Sequence, residues 1–237
     1  MAGNGVARPV DAAGLVLIRA GDKGPEVLMG RRHRRSTFLP DVYVFPGGRV
    51  DPADSRPSGF AEMIPGSIAR QLRRGTSRRD PAAFLRAAIR ETFEETGLLV
   101  ARSPGARPVT KPRRAPVWRA FARIGAEPDF AGMDYICRAI TPTSSKRRYN
   151  TRFFLADGRG ARGDLVGNGE LEDLDWWPVS EIERLPIVDV TEFVLGEALR
   201  RWAQNLAAGS EPAPLFSYRK DAVTLRRHGT AAPAREP

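Results

Sequence analysis

Hydrophobic and polar positions along this chain fall into segments with distinct periods. Residues 13–19 (AGLVLIR) and 26–31 (EVLMGR) are short runs rich in Leu and β-branched residues. A Gly- and Pro-containing link at 20–25 separates them, which predicts a β-hairpin. A third run, 42–45, stops at Pro46-Gly47-Gly48. Proline removes a ladder donor there and glycine permits conformations that other residues resist, so a strand is predicted to empty into a glycine turn. Over 80–96 the period changes. Asp80 stands as a candidate cap, Pro81 takes the first helical position, and Phe84 and Ala88, with Leu85 and Ile89 nearby, give an apolar face at helical spacing. Gly97 is the expected stop.

The remaining segments are less regular. Residues 52–80 are rich in Pro, Gly, Ser and Arg, with a weak helical pattern at 61–74, and read as a surface excursion with little core of its own. Four prolines and five basic residues over 101–117 predict a loop, followed by a short helix at 117–124. Strands are expected at 135–141, 152–156 and 175–179. Ser180-Glu181-Ile182-Glu183 fits a Ser-x-x-Glu capping box, and Asp189-Val190-Thr191-Glu192 gives a similar signal before 193–206. In that last segment Phe193, Gly196, Leu199 and Trp202 recur at three-residue steps, so Trp202 reads as packing rather than a ligand platform. The chain thus divides into a tail at 1–9, one domain at 10–207 with an insertion at about 55–80, and a C-terminal extension and tail at 208–237, of which 231–237 is the tail proper.

Composition narrows the class. With 41% hydrophobic residues among 237, the chain can build a packed core. The apolar stretch at 12–18 is far below the roughly 18–20 residues that span a bilayer, so no membrane partner is expected. The start MAGNGVARPVDAAG lacks the basic and apolar regions of an export signal, and the single cysteine, Cys137, can form no internal disulfide and reads as a core residue. A cytoplasmic protein is the expectation. A net charge of +10 admits a small polyphosphate, nucleic acid or an anionic surface as partner. The basic residues are bunched at 31–35, 70–79 and 146–148, without the aromatic interleaving of a base-stacking platform, so nucleic acid is not an expected partner.

The helix at 80–96 carries the chemistry. Glu91, Glu94 and Glu95 stand at i, i+3 and i+4 and share one face. Like charges so placed weaken a helix by a few tenths of a kcal/mol per pair, which calls for a compensating cation. A hard divalent ion fits, because magnesium takes oxygen ligands and typically uses one or two carboxylates plus substrate phosphates. Arg90, four residues before Glu94, is placed to brace it.

The string RETFEETGL, downstream of a strand ending in FPGG, resembles the motif of the Nudix hydrolase family, G-x5-E-x7-R-E-U-x-E-E-x-G-U with U aliphatic. Arg90, Glu91, Glu94, Glu95, Gly97 and Leu98 match its second half. Counting from Gly48, Asp54 stands where the family has Glu, and 35 residues rather than seven separate it from Arg90, an insertion of 28. Thr92 replaces an aliphatic residue. A box split in this way resembles the branch that includes the peroxisomal coenzyme A diphosphatases of animals.

The resemblance implies an α/β fold, an α/β/α sandwich around a mixed sheet, and metal-dependent cleavage of the diphosphate bond of a nucleoside diphosphate linked to another group. It further implies magnesium or manganese as cofactor, with Glu91 and Glu95 as ligands, Glu94 as ligand or water-activating base, and the Gly48 carbonyl as a further candidate ligand. Arg90 would orient a glutamate at the catalytic centre. Arg32 and Arg35 in the 31–35 cluster, with Gly47, are the candidate substrate-binding residues, meeting phosphates through charge-assisted bonds. Family members often take a base from a loop outside the motif, and Glu170, Glu172 and Asp173 are the candidates here. The family's fuller coenzyme A signature finds no clear match, and Arg235-Glu236-Pro237 departs from a Ser-Lys-Leu peroxisomal address. The competing reading is a catalytically silent Nudix-like module that binds a nucleotide or RNA; three clustered carboxylates facing a polyanion favour the enzyme.

Overall fold

A computed structural model describes residues 6–74, 77–102, 115–219 and 222–226. Most of the loop expected at 101–117 and the tail at 231–237 lie outside these. Strands β1 (Val10–Gly21) and β2 (Gly24–Arg32) form the predicted hairpin, and β3 (Tyr43–Val44) and β4 (Gly47–Arg49) flank Pro46. Helices α1 (Gly66–Arg73) and α2 (Pro81–Thr96) lead to β5 (Leu99–Arg102). Then come α3 (Pro116–Ile124), β6 (Glu127–Pro128), β7 (Asp134–Ile140), β8 (Tyr149–Asp157) and β9 (Ala161–Arg162). The C-terminal part holds β10 (Leu171–Pro178), α4 (Val179–Ile182), α5 (Asp189–Ala203), β11 (Leu215–Arg219) and β12 (Ala222–Arg226).

The main sheet runs β10-β2-β1-β8-β7-β11-β12, with β3 beside β2 and β4 beside β1. It is mixed: β1 with β8 and β7 with β11 are parallel, and the other pairs are antiparallel. Central β1 is buried on both faces, as a continuous apolar run requires. Leu15 and Leu17 pack toward α2, and Val16 and Ile18 toward α5, which makes the α/β/α sandwich. A small second sheet orders β6-β5-β9. Cys137 is buried in the α5 layer, where Trp202 also packs.

Asp80 caps α2 by accepting from the Ala82 N–H at 3.3 Å, and Gly97 closes it with φ 79°, in the left-handed region that glycine favours. The buried Phe84, Leu85 and Ile89 then fix the helix on the sheet, at about 1.5–3 kcal/mol for each such side chain. The other two capping signals do not hold. Pro178 and Val188 already take extended cap conformations, so Ser180 and Asp189 fall inside the first turns of α4 and α5 and cap neither.

Two further differences concern the insertion and the glycine turn. The insertion is not a surface excursion, because Phe60, Ile68 and Leu72 are buried in the layer around α2. Its Glu62 takes two hydrogen bonds from Arg86 of α2, whose Nη1 also donates to the Asp54 carbonyl at 2.7 Å. The chain also does not simply turn after Pro46, since Gly47 and Gly48 continue as β4 along β1. A side chain on Gly47 would put its Cβ 2.5 Å from the Ala13 carbonyl oxygen, so only glycine admits this approach. Residues beyond 207 contribute to the sheet as well: Phe216 in β11 pairs with Ala139 in β7 and is buried. Gln71 of α1 ties insertion to extension, donating to the Glu211 carbonyl and accepting from the Ala213 N–H. Among the described residues no helix is long and apolar enough to cross a membrane.

Candidate active site

The C-terminal half of α2 faces β4 and the loop after it, and Arg90 organises that junction. Its Nε and Nη2 grip the buried Asp54 carboxylate at 3.0 and 2.9 Å, and Nη2 also donates to the Arg49 carbonyl at 3.0 Å. Its Nη1 donates to Glu91 at 2.9 Å and to Glu94 at 2.8 Å. Arg90 is itself buried, so it braces both glutamates from behind. Thr92, in the position of the motif's aliphatic residue, points into the core and donates its hydroxyl to the Ala88 carbonyl at 2.8 Å, which leaves no unsatisfied donor.

The cations near Glu91 and Glu95 do not offset the cost of desolvating them. Burial pushes the Glu91 carboxyl up to about 7 against the pull of Arg90, and Glu94 and Asp51 add repulsion. Glu95 is pushed by burial up to about 8; the Gly47 N–H, donating at 2.8 Å, and Arg32 oppose the rise, while Glu91 and Glu170 reinforce it. Gly48 makes room for the first of these groups, since a Cβ there would lie 2.5 Å from the Glu91 carboxyl carbon. Among the described residues no three acidic, His or Cys side chains close around one point. A buried Glu95 and a half-buried Glu91 beside the partly exposed backbone of β4 nonetheless fit a hard cation that completes its shell with water and phosphate oxygens.

These residues line a cleft of about 640 Å³ that also receives Arg32, Gly47, Glu170 and Asp51. Its far wall is aromatic, with Phe153 and the edge-on pair Phe38 and Tyr149, ring centroids 4.9 Å apart. The Arg32 Nε is buried there without a hydrogen-bond partner among the described residues. Its guanidinium carbon lies 5.8 Å from the Phe38 ring centroid. Arg35 does not join it: β2 ends at Arg32, the chain turns through the Ser36 N–H to His33 carbonyl bond, and Arg35 is left exposed outside the cleft. Of the three loop acids only Glu170 reaches the cleft. Glu172 pairs with Arg31 and His33, and Asp173 with Arg31 while accepting from the Tyr43 hydroxyl. Asp51, Phe38, Tyr149 and Phe153 gave no local signal in the sequence, because the pairing of β1 with β8 is what brings the last two to the cleft.

No family model matches the chain. It is 30% identical to the acyl-coenzyme A diphosphatase NUDT19 of Gallus gallus, over 55% of this chain and 47% of that protein. The same protein of Xenopus laevis is 23% identical over 66% of this chain and 53% of its own length. The chain thus spans about half the length of the curated relatives it matches. A crystal structure of a NUDIX hydrolase from Alicyclobacillus acidocaldarius is 26% identical and superposes with a TM-score of 0.63, covering 86% of this chain and 99% of that one. Dependence on a divalent metal is general among such hydrolases. With its α/β/α sandwich, its split motif closed in space by Arg90 and Asp54, and these relatives, the chain has the fold of the Nudix hydrolases and resembles their coenzyme A diphosphatases.

Proposed function

We propose that this chain hydrolyses the diphosphate bond of a nucleoside diphosphate linked to a further group, with coenzyme A or its esters among its substrates. The juxtaposition of Glu91 and Glu95 at one cleft, both carboxyls raised by desolvation even though Arg90 touches Glu91, carries this reading. The names of the two curated relatives support coenzyme A esters as the substrate class. Magnesium or manganese would be held by Glu91 and Glu95, with the Gly48 carbonyl and Glu94 as further candidate ligands. When bound, such an ion supplies neutralisation of diphosphate charge and activation of water.

The chain's own residues divide the remaining work. Glu94, with a side chain 38% exposed and held by Arg90, would take a proton from the attacking water, and Glu170 is the second candidate base. Arg32 offers its unpartnered donor to a phosphate oxygen, and Gly47 keeps the loop backbone close to the same space. Arg90 acts through Asp54 and the glutamates and is a positioning residue. Arg35 has no place in this reading because it lies outside the cleft. A reducing, cytoplasmic setting is consistent with the lone buried Cys137.

The test is release of phosphate products with magnesium and with manganese from coenzyme A, acyl-coenzyme A, ADP-ribose, NADH, diadenosine polyphosphates and nucleoside triphosphates, with Glu95→Gln in parallel. Turnover of one class, lost in the variant, is expected. Silence of the folded protein across the panel with both metals would contradict the proposal and favour a nucleotide- or RNA-binding module.

A further inference from the structure

On the other flank of α2, away from the carboxylates, lies a second cavity of about 550 Å³. Phe93, Leu99, Ala120, Ile124 and Val166 give it an apolar lining. Two of these, Ile124 at 45% and Val166 at 64%, are large hydrophobic side chains left exposed to water. A third exposed one, Met63, touches the lining residue Arg102 through its Sδ at 3.8 Å. Three of the seven large hydrophobics that the described residues expose therefore gather at one place. Scattered exposed hydrophobics need no explanation, whereas a cluster at a concavity marks a place where something apolar binds.

The charge at the rim says what else the occupant carries. Arg102, Arg123 and Arg162 line the cavity, against a single acid, Asp164. Arg102 pairs with Glu127. Arg162 spends its Nη1 on the backbone carbonyls of Arg159 and Ala161, and among the described residues neither it nor Arg123 has a carboxylate within ion-pair distance. An apolar pocket with two uncompensated guanidinium groups at its mouth complements a molecule with an alkyl chain and an anionic head.

We propose that this cavity is a second binding site, separate from the cleft, for a single-chain anionic amphiphile whose carboxylate or phosphate head meets Arg123 and Arg162. The proposal does not depend on the hydrolase reading. Calorimetric titration of the native protein with dodecanoate, dodecyl phosphate, dodecanol and dodecyltrimethylammonium, each below its aggregation concentration, tests it directly. One equivalent of either anion is expected to bind, the alcohol roughly tenfold or more weakly, and the cation not at all. The double charge reversal Arg123→Glu with Arg162→Glu should weaken dodecanoate by roughly tenfold or more. Ala120→Trp, which fills the apolar floor, should remove binding of both anions and of the alcohol, with far-ultraviolet circular dichroism confirming that each variant is folded. Absence of binding to the native protein, equal affinity for anion and alcohol, or full binding by both folded variants would each overturn the proposal, the last by placing the chain in the catalytic cleft.

Discussion

Arg90 holds Asp54 in a two-pronged ion pair, Nε to Oδ1 at 3.0 Å and Nη2 to Oδ2 at 2.9 Å, across 36 positions of sequence. The insertion that splits the motif in the chain is thereby closed in space, and the residue that departs from the family's glutamate has a defined task. Asp54 is buried at the start of the insertion and also accepts from the Asp51 N–H at 2.8 Å. With Nε and Nη2 engaged by Asp54, Nη1 reaches Glu91 and Glu94. Asp54→Asn should cost about 2–4 kcal/mol, toward the range for breaking a buried pair, in urea unfolding monitored by circular dichroism. A loss near zero would mean that Arg90 is held by the other contacts alone.

The two adjacent glycines should fail in different ways. At Gly47 the obstacle to a Cβ is the fixed backbone of Ala13 and Gly14, so Gly47→Ala is expected to lower stability by about 1–3 kcal/mol. At Gly48 the obstacle is the end of the Glu91 side chain, which can swing away. Gly48→Ala should therefore keep most of the stability and lose metal-dependent turnover. Melting temperature and turnover measured on both variants check the contrast.

Arg32 is expected to govern affinity rather than fold. Charge-assisted hydrogen bonds contribute about 1.5–3 kcal/mol, so Arg32→Ala should weaken a non-hydrolysable nucleoside diphosphate analogue by roughly 10- to 100-fold. Arg32→Lys should recover only part of this, because an ammonium lacks the planar fork. Equal binding by all three proteins would place the diphosphate elsewhere in the cleft.

The Glu62 and Arg86 pair gives a pH signature. Burial alone would raise the Glu62 carboxyl, but hydrogen bonds from Arg86 and Ser58 outweigh it and hold the group below its usual value of 4.5. A folded value below the unfolded one adds stability that is fully present above the unfolded value and disappears as pH falls through the folded one. The stability gap between native protein and Glu62→Gln should thus be widest near neutrality and narrow below about pH 4.5. Denaturant unfolding of both proteins from pH 7 to pH 3 reads it, and a gap independent of pH would contradict the assignment.

Local chemistry accounts for what could be read from the chain. The β1–β2 hairpin and α2 were legible because turn residues, Asp80, Pro81 and Gly97 act over a few positions. The carboxylate stripe was legible because helical spacing alone puts Glu91, Glu94 and Glu95 together. Strand β4 was not, since its two glycines have no strand preference and pair with β1 only through a distant contact. Nor was the buried role of Phe60, Ile68 and Leu72, diluted among Pro, Gly and Arg in the insertion. Nor was the choice among Glu170, Glu172 and Asp173: Glu170 lies just before β10, Glu172 is paired beside Arg31, and Asp173 sits in a register shift between Glu172 and Asp175 with φ 47°, none of which the local sequence signals.

The most direct test of the central claim, that Glu91 and Glu95 form a divalent metal site, is titration of the protein with Mn²⁺ followed by the electron paramagnetic resonance signal of the free ion. The native protein is expected to silence that signal as it binds, and Glu95→Gln, equal in size but without the charge, to bind roughly tenfold or more weakly while remaining folded. Binding by Glu95→Gln as tight as that of the native protein would contradict the account.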